Sequence, residues 1–176
     1  CGGMTENGRA MGKAYDIAPL KGQVRCEFCQ ASPFYRWVRR VPKVDVAWAL
    51  RKSRFKAIGA VRAMRVTRRT LSGRASEIAI TGAERSVRLS GYDFRALFGF
   101  DQIRSLQFTI IEDGDAFLLD GRGWGHGVGL CQWGAAELAR RGFSATEILA
   151  YYYPGGRITE IRTLLTQPVT VIEGGS

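Results

Sequence analysis

Histidine is almost missing from this sequence: 176 residues hold one, His126, so any imidazole chemistry falls on a single position. Acidic side chains are scarce too, 16 Asp and Glu against 26 Lys and Arg, which leaves a formal net charge of +10. That balance favours a polyanionic partner or surface. No apolar run approaches the roughly 18 to 20 residues of a membrane-crossing helix, and no basic leader with an apolar stretch behind it opens the chain. The chain starts at Cys1 without an initiator Met and is expected to be processed, trimmed or cut from a longer one. At 45% apolar residues and with only four cysteines, it is neither a disordered polymer nor a disulfide-stapled mini-protein. One packed domain is expected, and no internal repeat is visible.

The patterning divides the chain into residues 1–44, an irregular Cys-containing module rich in Gly and Pro, an α+β core over 45–165, and a tail over 166–176. Helical spacing of Val44, Ala47, Trp48 and Arg51 predicts a short helix over Val44–Lys52 with that face inward. From Ile58 the period becomes two, predicting a meander of Ile58–Thr67, Ala75–Thr81 and Ser86–Leu89. A short helix over Tyr92–Phe98 ends at Gly99, and Leu106–Glu112 and Ala116–Leu119 flank the turn Asp113-Gly114-Asp115. Beyond a glycine-dense loop come helices over Gln132–Arg141 and from the cap Ser144 to about Tyr152, then a last strand, Ile158–Leu164. Strands and helices that do not alternate regularly point to α+β, a mixed or antiparallel sheet with short helices. Trp37 and Trp48 are expected in the core.

Chemistry concentrates in Asp120-Gly-Arg-Gly-Trp-Gly-His-Gly-Val-Gly-Leu-Cys-Gln-Trp-Gly-Ala135, which sets His126 between Gly125 and Gly127. Alternating glycines allow a backbone to approach a ligand closely, at an entropic cost that a plain connection need not bear. Gln132, opening the next helix, would offer its amide and nearby free N–H groups to acetamido or carboxylate oxygens. The competing reading is a compact turn in which His126 bonds a backbone carbonyl. Cys26-Glu27-Phe28-Cys29 with Cys1 supplies three of the four sulfurs or nitrogens of a structural zinc site, a disulfide being the alternative. Cys131 is expected apart from these three. Arg36 to Arg74 holds 13 of the 26 basic residues with only Asp45 against them. No spacing for base readout accompanies them, so specific nucleic-acid binding is not expected, whereas an anionic polymer or a solvated strand edge is.

The run GRGWGHGVGLCQWGA with ATEILAYYYPGG resembles the C-terminal signature of the SpoIID/LytB family of peptidoglycan lytic transglycosylases. Arg69-Thr70-Leu71-Ser72-Gly73-Arg74, Leu89-Ser90-Gly91 through Phe94-Arg95, Ile103-Arg104-Ser105 to Phe108 and Cys1-Gly2-Gly3-Met4-Thr5-Glu6 match further family segments in order, over about residues 1–160. Cys131 departs from the family, where many relatives carry Ser. The resemblance implies an extracytoplasmic, cell-wall-associated domain that binds peptidoglycan glycan strands and, in the intact protein, cleaves them without water to 1,6-anhydro ends. Its catalytic glutamate belongs to a YLxGVVxxEM-like segment that nothing here matches, so no catalytic residue is assigned. A non-catalytic wall-binding or amidase-modifying module, acting beside other wall hydrolases, is the alternative. The expected ligand-facing set is His126, Gln132, Gly125 and Gly127, with Arg74 and Arg95 nearby to fork onto lactyl or peptide carboxylates or else to pair with Asp93, Asp101 or Asp120. A histidine upstream of CGG is the family's usual further metal ligand, with His126 a weak substitute.

Overall fold

The computed structural model describes residues 1–55 and 57–159. The tail 166–176 lies outside them, as does most of the expected strand Ile158–Leu164. The rest is α+β, as read from the patterning. Two three-stranded antiparallel sheets carry the fold. In one, β6 (Ala116–Arg122) lies between β1 (Arg36–Pro42) and β5 (Phe108–Asp113); in the other, β3 (Ala75–Gly82) lies between β2 (Val61–Arg69) and β4 (Ser86–Ser90). Helices α1 (Lys43–Lys52) and α2 (Gly91–Phe98) follow β1 and β4, and α3 (Gln132–Arg140) and α4 (Ala145–Tyr152) close the described chain.

Period-two alternation decides which face of each sheet is buried. Met64, Ile78, Ile80 and Leu89 point inward from one sheet, Trp37, Val41, Phe108, Phe117 and Leu119 from the other, and together with Phe94 of α2 they form one core. Each such side chain contributes about 1.5–3 kcal/mol through burial. The turn at Asp113–Asp115 joins β5 to β6, and Arg40 of β1 reaches across to Asp113 and Asp115.

Two expectations are corrected. Val44, Trp48 and Arg51 of α1 turn outward, with Trp48 half exposed beneath the Lys52 ammonium and Ala47 alone of that face packed against the core, because Val46 and Leu50, four apart, fill the core instead. Second, β1 runs through what was expected to be irregular: Arg36, Arg39 and Arg40 mask an alternation in which only Trp37 and Val41 face inward. Residues before β1 form short 3-10 turns that pack with α3 and α4 around a second, smaller core of Cys26, Cys29, Cys131, Leu138, Ile148 and Tyr152.

Arg95 is a structural guanidinium. Buried in α2, it donates from Nε to the carbonyl of Ile103 (2.7 Å) and from Nη2 to those of Phe100 (3.3 Å) and Arg104 (2.8 Å), satisfying acceptors in the irregular run before β5. No carboxylate pairs with it among the described residues, so neither sequence reading of this arginine describes its contacts. Arg95→Met keeps most of the volume and removes every donor, orphaning buried carbonyls at about 1–3 kcal/mol each. The variant is expected to lower unfolding free energy in urea by about 2–4 kcal/mol; an unchanged midpoint would show that these bonds are not needed.

Candidate functional site

Four glycines of the loop, Gly123, Gly125, Gly127 and Gly129, have φ of 73, 104, 83 and 75°, so every second residue occupies the left-handed region. At Gly127 the constraint is also steric, because an added Cβ would stand 2.2 Å from Nη2 of Arg74. The loop is fastened along its length. Gly125 donates to the carbonyl of Arg104, Glu6 donates to that of Gly127, and Leu130 donates to the Tyr153 hydroxyl.

Arg74 lies beneath the loop, 3% exposed. Its Nη1 donates to the Met4 carbonyl and Ser72 Oγ, and its Nη2 donates to the Cys1 carbonyl at 2.6 Å. Ser72 and Thr70 in turn donate to Oε2 of the buried Glu6, whose Oε1 accepts from the Asn7 amide. Arg74 therefore ties the first residues to the β2–β3 turn and supports the loop from below. Like Arg95, it pairs with none of Asp93, Asp101 and Asp120 among the described residues. Glu6 had no role in the sequence reading; the one signal was its place at the end of Cys1-Gly-Gly-Met-Thr-Glu6.

The four cysteines converge. Their Sγ atoms lie within 4.8 Å of one another, Cys1 to Cys29 at 3.6 Å, and all four are free thiols. The turn Glu27–Cys29 presents Cys26 and Cys29, the backbone pairing of Met4 with Arg25 lays Cys1 beside them, and Cys131 immediately precedes α3. Cys131, expected apart, is thus the fourth sulfur: α3 packs so closely that a Cβ on Gly134 would stand 2.0 Å from the Tyr152 hydroxyl and 2.6 Å from Cys26 Sγ. The signal available in the sequence was the count itself, four cysteines for four tetrahedral corners. Tetrahedral sulfurs about 2.3 Å from a zinc ion stand about 3.8 Å from each other, so these residues fit the metal. Hydrogen bonds from Cys26 and Cys29 push the Cys131 thiol down, and hydrogen bonds with Cys131 and Cys29 push Cys26 up; the set favours a thiolate at Cys131.

Above the sulfurs runs a groove of two adjoining hollows, about 270 and 250 Å³, sharing Cys1, Trp124, Gln132 and Trp133. Phe34 and Tyr35 line the first, and Gly125, His126 and Gly127 the second. The structure therefore brings His126, Gln132, Gly125 and Gly127 to one concave surface, with Arg74 below it and Arg95 engaged elsewhere. Trp124 is 45% and Trp133 43% exposed; Trp124 meets Phe34 edge-on, and the Arg104 guanidinium lies against both rings. Among the described residues no carboxylate lines either hollow.

His126 accepts the Val128 amide at Nδ1 (3.0 Å), which leaves the proton on Nε2 of a neutral ring. Among the described residues it bonds no carbonyl, contrary to the compact-turn reading. Burial of the ring against the loop, then the positive charges of Arg74 and Arg95, hold its pKa below the ordinary 6.5. Between that folded value and 6.5 the unfolded chain binds more protons, so the contribution to stability is complete above 6.5 and is lost as pH falls through the folded value. NMR titration is expected to give a midpoint below 6.5 and the Nε2-protonated tautomer; a midpoint above 6.5 would contradict this environment.

Residues 23–129, more than half of the chain, match the family model described as a domain of unknown function, DUF8618. Over 167 residues, 94% of the chain and 44% of the relative, the sequence is 29% identical to stage II sporulation protein D of Bacillus amyloliquefaciens. Over 165 residues, 94% of the chain and 45% of the relative, it is 28% identical to stage II sporulation protein D of Bacillus subtilis strain 168. A stretch of 67 residues, 38% of the chain, is 36% identical to 10% of the amidase enhancer of the same strain. The chain spans less than half the length of these curated relatives. With the CGG segment, the RTLSGR turn and the His126 loop assembled around one groove, the chain belongs to the SpoIID/LytB family and, over residues 23–129, to DUF8618.

Proposed function

We propose that the groove binds a glycan strand of peptidoglycan in an extracytoplasmic, wall-associated setting. The observation that carries this reading is the placement of two half-exposed indoles, Trp124 and Trp133, around the Gln132 amide and His126. Sugar rings stack on such faces, while an amide and an Nε2–H suit acetamido and hydroxyl oxygens. The sporulation and amidase-enhancer relatives support a role at the cell wall.

In the complete protein the bound strand is cleaved as in a lytic transglycosylase. A carboxylic acid from outside the groove lining protonates the glycosidic oxygen as its bond to the anomeric carbon breaks, the rest of the strand leaves as an alcohol, and the sugar's own 6-hydroxyl closes on the anomeric carbon while giving its proton back to the carboxylate. This chain's part is to hold and orient the strand. The bare lining also suits the second reading, a module that binds the wall and assists an amidase or another wall hydrolase. The +10 charge adds attraction to anionic wall polymers.

Binding of chitin-type or peptidoglycan oligosaccharides, followed by tryptophan fluorescence, tests the groove. Trp133→Ala and Gln132→Ala are each expected to weaken it about 5- to 50-fold, while Trp48→Ala, on the far α1 face, leaves it unchanged. Equal affinity in all three variants would remove the groove from the reading. Oligosaccharides shortened to 1,6-anhydro ends by this chain alone would overturn the assignment of the acid to another part of the protein.

Cys1, Cys26, Cys29 and Cys131 would hold a structural zinc ion, which supplies fixed charge and a rigid corner with no open position for chemistry. Tyr152 supports the set by hydrogen bonding Cys26 at 3.0 Å. One zinc per chain is expected by elemental analysis of protein prepared with the metal, with Cys131→Ser lowering affinity at least tenfold in a chelator competition. A Cys131→Ser protein with unaltered affinity would limit the ligands to the other three cysteines.

A further inference from the structure

The sheet β2–β3–β4 buries one face and leaves the other open, and the open face has its own chemistry. Cross-strand register sets Arg65 beside Ala79 and Ala79 beside Arg88, with Ala63, Thr81 and Ser86 forming the adjacent row. Met64 and Ile80 are buried on the opposite face, so Arg65, Ala79 and Arg88 point outward. Two exposed guanidinium groups thus flank a floor of small residues. Arg68 lies opposite Glu77 one row along. Glu77 is occupied, accepting from Thr67 at 2.6 Å and from Arg88 at 3.1 Å, and neither Arg65 nor Arg68 has a carboxylate partner among the described residues.

We infer that this face is a docking surface for a linear phosphodiester-linked polyol, an anionic polymer distinct from the glycan strand. It rests on the reading of the chain as a binder of anionic wall polymers and is independent of the groove. Two strand spacings put the backbones of Arg65 and Arg88 about 10 Å apart, with Arg68 one row along, so the exposed guanidinium groups are spread over the face and suit charges repeated along a thin chain. Guanidinium forks match phosphodiester oxygens, and the small floor lets a backbone lie close to the sheet. No large apolar side chain stands on this face to enter a bilayer, and no ring is present for nucleic-acid bases to stack on.

The experiment uses the whole chain and labelled poly(glycerol phosphate), followed by fluorescence anisotropy between 50 and 200 mM salt. Arg65→Ala with Arg88→Ala is expected to weaken binding at least tenfold and to make the dependence of log K on log salt shallower by about 1 to 2. Arg140→Ala with Arg141→Ala, which removes equal charge at the end of α3, changes it less than twofold. Free glycerol phosphate at the same phosphate concentration does not compete, and Trp133→Ala binds the polymer normally. Equal losses in the two arginine pairs would overturn the assignment to this face while keeping the charge reading; no binding at 50 mM salt would overturn both. Tighter binding of phosphatidylglycerol vesicles or duplex DNA at matched charge, with the same sensitivity to Arg65 and Arg88, would overturn the choice of partner.

Discussion

Four sulfur atoms within 4.8 Å of one another mark where segments far apart in the sequence meet. Residues 1–35 contain no helix beyond short 3-10 turns and no strand beyond isolated bridges, so their own hydrogen bonds do little to order them. Bringing Cys1 to Cys131 closes a loop over everything before α3, and the entropic cost of a closed loop rises only slowly with its length. One cluster joins the start of the chain, the Glu27–Cys29 turn and the beginning of α3. Gly134 is the condition for this convergence, since any side chain there would occupy the space shared by Tyr152 and Cys26.

The buried charges extend the same fixation to the loop. Arg74 donates to the carbonyls of Cys1 and Met4 and lies against Gly127, while Glu6 accepts from Thr70 and Ser72 and donates its amide to Gly127. The sulfur cluster, the β2–β3 turn and the His126 loop are therefore positioned by shared partners. A displacement at the sulfurs would reach the groove by way of two carbonyl contacts and one guanidinium. Burial of that guanidinium disfavours its charge, and the Glu6 carboxylate opposes the effect.

Local rules carried the sequence reading furthest. The meander, the Asp113–Asp115 hairpin and the Ser144 capping box followed from periodicity and turn chemistry, which act over a few residues. Failures came where tertiary context decides. The outward face of α1 looked apolar enough to be buried, and β1 fell inside a stretch read as irregular for its Gly, Pro and Cys content, because which residues meet the core depends on partners far along the chain. Arg74 and Arg95 were visible as arginines, but apart from the Ser72 hydroxyl their partners are backbone carbonyls, which no side-chain pattern advertises. Cys131 was misplaced for the same reason: the Cys26–Cys29 spacing marks a local pair, whereas a sulfur over a hundred residues away joins it only through the packing of α3 against Tyr152.

The arrangement of carboxylates separates holding a ligand from breaking a bond. Glu6 is the acidic residue built into the support of the loop, yet it is 3% exposed and its oxygens already accept from Thr70, Ser72 and Asn7. A carboxylate so buried and engaged has no path to a ligand in the groove. The surface above it offers rings, an amide and a neutral imidazole, the groups on which the proposed recognition of a sugar rests. The proposed division rests on this geometry: a receiving face here, and an acid that approaches the bound strand from outside the groove lining.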